Sequence, residues 1–98
     1  MNPKVPETKS IATIKNRLGL HARPAMAFVD LACTFASEIT VRRTDNSPGD
    51  PVDGKSIMMM MMLAATQGTE LEITATGEDS ATACEKLKAL VDVGFDEE

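Results

Sequence analysis

The residues best suited to chemistry stand together near the front of the chain, in Gly19-Leu20-His21-Ala22-Arg23-Pro24-Ala25, which holds the only histidine. Apolar residues follow Pro24 as far as Phe35, so the spacing predicts a helix over 22–35 with proline in its first turn, where no backbone N–H is needed. His21 then falls at or beside the N-cap. An imidazole placed there meets unpaired backbone N–H groups, the positive end of the helix dipole and the guanidinium of Arg23. That set describes a site for an anion attached, or delivered, to a neutral imidazole. A histidine at a helix start can also be a plain polar cap. Against that bland reading, a helix N-terminus favours a neutral ring over an imidazolium, and a neutral ring can accept a phosphoryl group.

The elements that must position this segment follow from patterning. Residues 1–9 carry two prolines and mixed charge and read as a flexible leader, leaving 10–98 as the folded domain. Residues 10–15 set Ile11 and Thr13 against Ala12 and Ile14 and predict a strand, with Gly19 permitting the turn into the histidine segment. In the helix, Ala25, Phe28, Val29, Ala32 and Cys33 recur at i, i+3, i+4 spacing and mark one buried face. Residues 37–43 predict a second strand, the cluster Asp45-Asn46-Ser47-Pro48-Gly49-Asp50-Pro51 a turn, and Val52 a short third strand.

Five consecutive methionines, Met58 to Met62, come next. Ser56 is a good N-cap for a short helix there, and Gly68 is expected to end it. Apolar residues occupy every side of that helix, so some methionines must be exposed; core filling and partner contact are both open uses for them. Residues 70–76 alternate Leu71, Ile73 and Ala75 with Glu72, Thr74 and Thr76, the clearest strand in the chain. A last helix starts at Asp79 or Ser80 and buries Ala83, Cys84, Leu87, Leu90 and Val91. Beyond it Phe95 is expected to fold back, with the final acids in solvent. The order βαββαβα indicates an α+β domain, helices covering one face of an antiparallel sheet.

Bulk properties exclude several classes of function. A chain of 98 residues with 43% hydrophobic content supports one small core. The net charge of −5 and an aromatic complement of three phenylalanines disfavour nucleic-acid binding. No apolar stretch approaches the ~20 residues of a membrane span, and the start lacks a signal-peptide segment, so no membrane insertion and a cytoplasmic location are expected. Cys33 and Cys84 both fall on apolar helical patterns and read as buried free thiols. One histidine and two distant cysteines make no metal shell, and no cofactor is called for.

Two stretches carry a family resemblance: "NRLGLHARPA" at 16–25 and "KSIM" at 55–58. In this order they resemble HPr, the phosphocarrier family of the bacterial phosphoenolpyruvate:sugar phosphotransferase system, and the similarity runs from Ser10 to the C-terminus. The resemblance implies an open-faced β-sandwich, with three helices on a four-stranded antiparallel sheet. It implies that His21 accepts a phosphoryl group on Nδ1 from phospho-enzyme I and passes it to a histidine of an enzyme IIA. His21 and Arg23 match the family's reactive positions, and Pro24 its fixed place in the first helical turn. Ser56 matches the serine phosphorylated in some bacteria by HPr kinase/phosphorylase, and Ile57, Met58 and Met61 match the apolar patch that docks partners.

On physical grounds the N–H groups of Ala22 and Arg23, with the Arg23 guanidinium, would neutralise the phosphoryl oxygens, and Arg17 upstream would add positive potential. Ser56 has a sufficient structural role as a cap, and a regulatory one by resemblance. The 44–53 loop is about two residues longer than in common HPr proteins, while the C-terminal ending looks more like the nitrogen-related branch, NPr. Such a carrier catalyses no net reaction on a small molecule by itself; it would count as a transferase only as a covalent shuttle. The alternative is a non-transporting regulatory domain, NPr-like or a cofactor of a transcription factor, whose phosphorylation state controls partner binding.

Overall fold

Strand alternation decides the layers. The computed structural model describes residues 5–45 and 50–97; residues 1–4 of the expected leader, 46–49 of the turn cluster and Glu98 lie outside the described residues. The elements are β1 (Glu7–Thr13), α1 (Ala22–Ala32), β2 (Glu38–Arg43), β3 (Val52–Asp53), α2 (Ile57–Met62), β4 (Glu70–Thr76) and α3 (Ser80–Asp92), followed by a 3₁₀ turn at Gly94–Asp96. The sheet is antiparallel with strand order β1-β4-β2-β3. Register places Ala12 beside Leu71, and puts Ile73 between Ser10 and Val41. Leu71, Ile73, Ala75, Ile39, Val41 and Ala12 are all buried on one side. On the other side Arg42 Nε reaches its cross-strand neighbour Glu72 at 2.8 Å.

Helices close the apolar face. Pro24, Ala25, Phe28, Val29 and Ala32 of α1 and Ala83, Cys84, Leu87 and Val91 of α3 supply the inner stripes, one or two residues in each turn. Helix α3 lies against β1 and β4, and α1 against α2 and α3. The fold is thus three helices on a four-stranded sheet, with each strand and helix in the predicted order.

Boundaries differ from the sequence reading for identifiable reasons. Strand β1 begins at Glu7, inside the segment expected as leader, because residues 7–13 pair throughout with 70–76. Helix α1 stops three residues short of Phe35: the Thr34 hydroxyl and N–H both bond to the Leu31 carbonyl, satisfying an end group that a further turn would have used. Cys33 therefore sits at the C-cap and is exposed, not buried; Cys84 is buried, and that burial pushes its thiol pKa up. Helix α2 ends at Met62 rather than at Gly68. Ala64 takes a left-handed φ of 51°, and Arg43 Nη1 donates to the Leu63 and Ala64 carbonyls at 3.1 and 3.3 Å. Gly68 instead makes the turn into β4. Leu90 is half-buried against the core.

Asp79 precedes α3 but makes no side-chain cap to it. Its carboxylate accepts from the Ser37 hydroxyl, from Ala36 N at 2.8 Å and from Ser37 N at 3.0 Å, tying the chain before β2 to the start of α3. The Ser37 hydroxyl, then the Ala36 amide, hold the Asp79 pKa below its ordinary 3.8. A depressed folded-state pKa stabilises the fold above the unfolded value and is lost as pH falls through the folded one. Asp79→Asn should therefore lower stability at neutral pH and flatten the acid limb of the stability curve, as read by urea unfolding across pH. Gly19 has φ +71°, and a Cβ there would stand 2.5 Å from the Ala65 carbonyl oxygen. Gly19→Ala should cost about 1–3 kcal/mol in the same unfolding assay.

Candidate functional site

The turn before α1 is built by backbone contacts. Gly19 N donates to Asn16 O at 3.2 Å and Leu20 N to Ala65 O at 2.9 Å, which seats Leu20 in the core and delivers His21 to the N-cap. His21 is extended (φ −79°, ψ −169°), and its carbonyl accepts the first helical bond, from Ala25 N at 3.0 Å. Its side chain makes no cap bond, so the ring is spared for other contacts. The amides of Ala22 and Arg23 occupy the first helical positions, where no intrahelical acceptor exists. Pro24 follows with its ring buried, a packing place rather than an exposed contact.

The ring's partner comes from the far end of the chain. His21 Nε2 lies 3.0 Å from Oε1 of Glu97, and the same oxygen accepts from Asn16 Nδ2 at 3.0 Å. Asn16 is buried and also donates to Gly19 O at 2.7 Å, so one side chain fixes both the turn and the carboxylate. The His21 bond above all, then the Asn16 bond, hold the Glu97 pKa below its ordinary 4.5. Near neutral pH this carboxylate is ionised and can only accept. Nε2 must then carry a hydrogen in this contact, so whenever the ring is neutral its lone pair is on Nδ1. In that tautomer the nucleophilic nitrogen is Nδ1, on a ring that is 37% exposed at the N-cap of α1.

Glu97 was expected in solvent, and its position overturns that reading for this acid. Gly94, Phe95 and Asp96 have φ of 70°, 57° and 60°, a left-handed run that reverses the chain after α3. Phe95 is buried and anchors the reversal. The sequence signal was a glycine just past a helix followed by an apolar residue, the pattern of a helix stop that folds back. It foretold Phe95, but nothing in the pattern names Glu97 as a ring partner. Asn16, three residues before Gly19, entered the sequence reading only as the first residue of the 16–25 stretch, with no contact assigned to it.

A shallow depression at this point is lined by Leu18, His21, Ala22, Arg23, Asp96 and Glu97. Arg17 is exposed and lines no part of it. The other residues singled out in the sequence lie on α2, which packs beside α1. Ser56 caps α2, its Oγ accepting from Met59 N at 3.3 Å. Ile57 is half-buried against the core, while Met58 is 73% and Met61 41% exposed. Among the described residues, no cluster of three or more His, Cys, Asp and Glu side chains could hold a metal ion, and no helix is long and apolar enough to cross a membrane.

Comparison with known proteins points in one direction. The family model described as "PTS HPr component phosphorylation site" matches residues 8–92. The phosphocarrier protein NPr of Proteus mirabilis (strain HI4320) is 45% identical over 85 residues, covering 87% of this chain and 91% of its own. The phosphocarrier protein HPr of Pseudomonas putida is 46% identical with the same coverage. The crystal structure of HPr from Thermoanaerobacter tengcongensis superposes with a TM-score of 0.83 at 41% identity, over 93% of this chain and 98% of that one.

The bond from Nε2 to Glu97 is open to direct measurement. Ring ¹⁵N shifts at neutral pH should report the Nε2–H tautomer as dominant, and Glu97→Ala should return the ring to a mixture of tautomers. A dominant Nδ1–H form in the unsubstituted protein would contradict the geometry.

Proposed function

The chain belongs to the HPr family of phosphocarriers of the phosphotransferase system, and from that premise we propose that His21 is the carrier residue, taking a phosphoryl group on Nδ1 from phospho-enzyme I and passing it to an enzyme IIA. The observation that carries this reading is the Nε2–Glu97 bond, which leaves Nδ1 as the free nucleophile. In the forward step the Nδ1–P bond forms as the donor's bond to phosphorus breaks. The ring becomes a phosphoimidazolium whose positive charge faces the Glu97 carboxylate. The onward step breaks Nδ1–P and returns the same neutral tautomer, so neither transfer has to move a proton from the ring. The amides of Ala22 and Arg23 and the Arg23 guanidinium offset charge on the transferring oxygens. Arg17 adds long-range positive potential at most, being exposed and outside the depression.

Helix α2 supplies the docking patch in this reading, with Ile57, Met58 and Met61 beside the carrier site. Ser56 is its regulatory point. A phosphate on that cap would add a charge of about −2 at the end of α2, tolerated locally and repelling an acidic partner surface; HPr kinase/phosphorylase is the enzyme class that would install it. The compartment proposed is the cytoplasm, where these partners act. A regulatory role without sugar uptake has support in that the relatives carry both HPr and NPr names. Recovery of regulators alone in a pull-down from cell extract, with no enzyme IIA, would favour it.

Incubation with enzyme I and labelled phosphoenolpyruvate tests the carrier role. Acid-labile label should appear on the protein and vanish in His21→Ala. Arg23→Ala should slow uptake about 10-fold, less than the ~10²–10³ lost with an enclosed oxyanion donor, because this guanidinium is exposed. Ser56→Asp should slow transfer from enzyme I; an unchanged rate would remove Ser56 from the reading.

A further inference from the structure

Helix α2 exposes more thioether than packing needs. Met60 is fully buried and anchors the helix, whereas Met58 and Met62 are 73% and 76% exposed, and Met59 and Met61 38% and 41%. Met58 and Met62 are four residues apart, so they stand on one face of the helix, one turn from each other. Leucine would supply the same helix propensity and comparable apolar area. What methionine adds is a flexible side chain and a sulfur that accepts oxygen.

We propose that Met58 and Met62 form a reversible oxidation site that sets the strength of partner docking on α2, an inference that rests on the docking role given to this helix above. The oxidant is a peroxide or a hypohalous acid. With hydrogen peroxide, the thioether sulfur takes one oxygen, the O–O bond breaks, sulfur is oxidised by two electrons and water leaves. The product is a sulfoxide, polar where the thioether was apolar, on the two side chains most open to a partner. Met60 is shielded in the core, so the fold survives the change. Methionine sulfoxide reductases reverse it, a dithiol supplying the two electrons and becoming a disulfide while the oxygen leaves as water, which makes the modification a switch rather than damage.

The test treats the intact protein with hydrogen peroxide and follows each methionine by peptide mass spectrometry, with phosphoryl uptake from phospho-enzyme I measured in parallel. Sulfoxide should form first at Met58 and Met62, with Met60 unmodified and the melting temperature unchanged. Uptake should fall several-fold and return after treatment with the reductases. In the M58L/M62L protein, judged against its own untreated rate, peroxide should lose most of its effect. The double substitution also separates these residues from Met26, which is 45% exposed on α1 and remains oxidisable. Uptake unchanged by oxidation at Met58 and Met62 overturns the inference, as does an equal loss in the Leu variant or oxidation of Met60 in step with the others. If the untreated protein takes up no phosphoryl group, the carrier reading itself fails; normal uptake before treatment confines any failure to the oxidation site.

Discussion

One carboxylate oxygen holds the site together. Oε1 of Glu97 receives both the ring of His21 and the amide of Asn16, joining the front of the chain to its last turn across 76 and 81 positions of sequence. Each neighbour depends on it. The ring's tautomer follows from the negative charge it faces, and the buried Asn16 amide would lose one of its two acceptors without it. Holding Glu97 there requires a left-handed reversal that ordinary residues resist, including a φ of 57° at Phe95. Burial of the Phe95 ring, by about the 1.5–3 kcal/mol such a side chain gains, offsets that local strain.

The rest of the scaffold keeps two surfaces in fixed relation. Gly19 presses against the Ala65 carbonyl and Leu20 bonds to it, so the turn before His21 leans on the segment that follows α2. The lysine of "KSIM" has a structural task there: Lys55 Nζ donates to the Phe35 carbonyl at 2.8 Å, linking the start of α2 to the segment after α1. Arg43 clasps the other end of α2 through the Leu63 and Ala64 carbonyls, while Asp45 takes its remaining face at 2.6 Å. A six-residue helix is too short to be stable alone. With both ends tied and Met60 in the core, it can leave four methionines outside.

The carrier role proposed for His21 would call for this division between a rigid frame and an open rim. Were His21 enclosed, its environment would stabilise the bound group but bar a second protein from reaching it. With its side chain 37% exposed, the ring can be approached, and in the proposed role preorganised amides and one fixed carboxylate would do the electrostatic work. The buried Cys84, whose thiol is made harder to ionise, takes no part in that chemistry.

Local pattern was enough for much of this protein. Period-two alternation marked β4 to the residue, 3.6-residue spacing marked the buried stripes of α1 and α3, and the proline after His21 placed the ring at a helix start, because each of these depends on neighbours within one or two turns. Ser56 as a cap was legible for the same reason. Tertiary structure alone decided what depends on distant partners: where Thr34 halts α1 and so exposes Cys33, that Asp79 serves the α1–β2 link instead of its own helix, that Arg43 closes α2, and that Glu97 rather than solvent meets the imidazole. Those contacts join residues 20 or more positions apart, or end a helix early against its own propensity. A one-dimensional pattern carries no term for them; the packing of β1, β4 and α3 into one core brings the chain ends together and so selects which nitrogen of His21 is free.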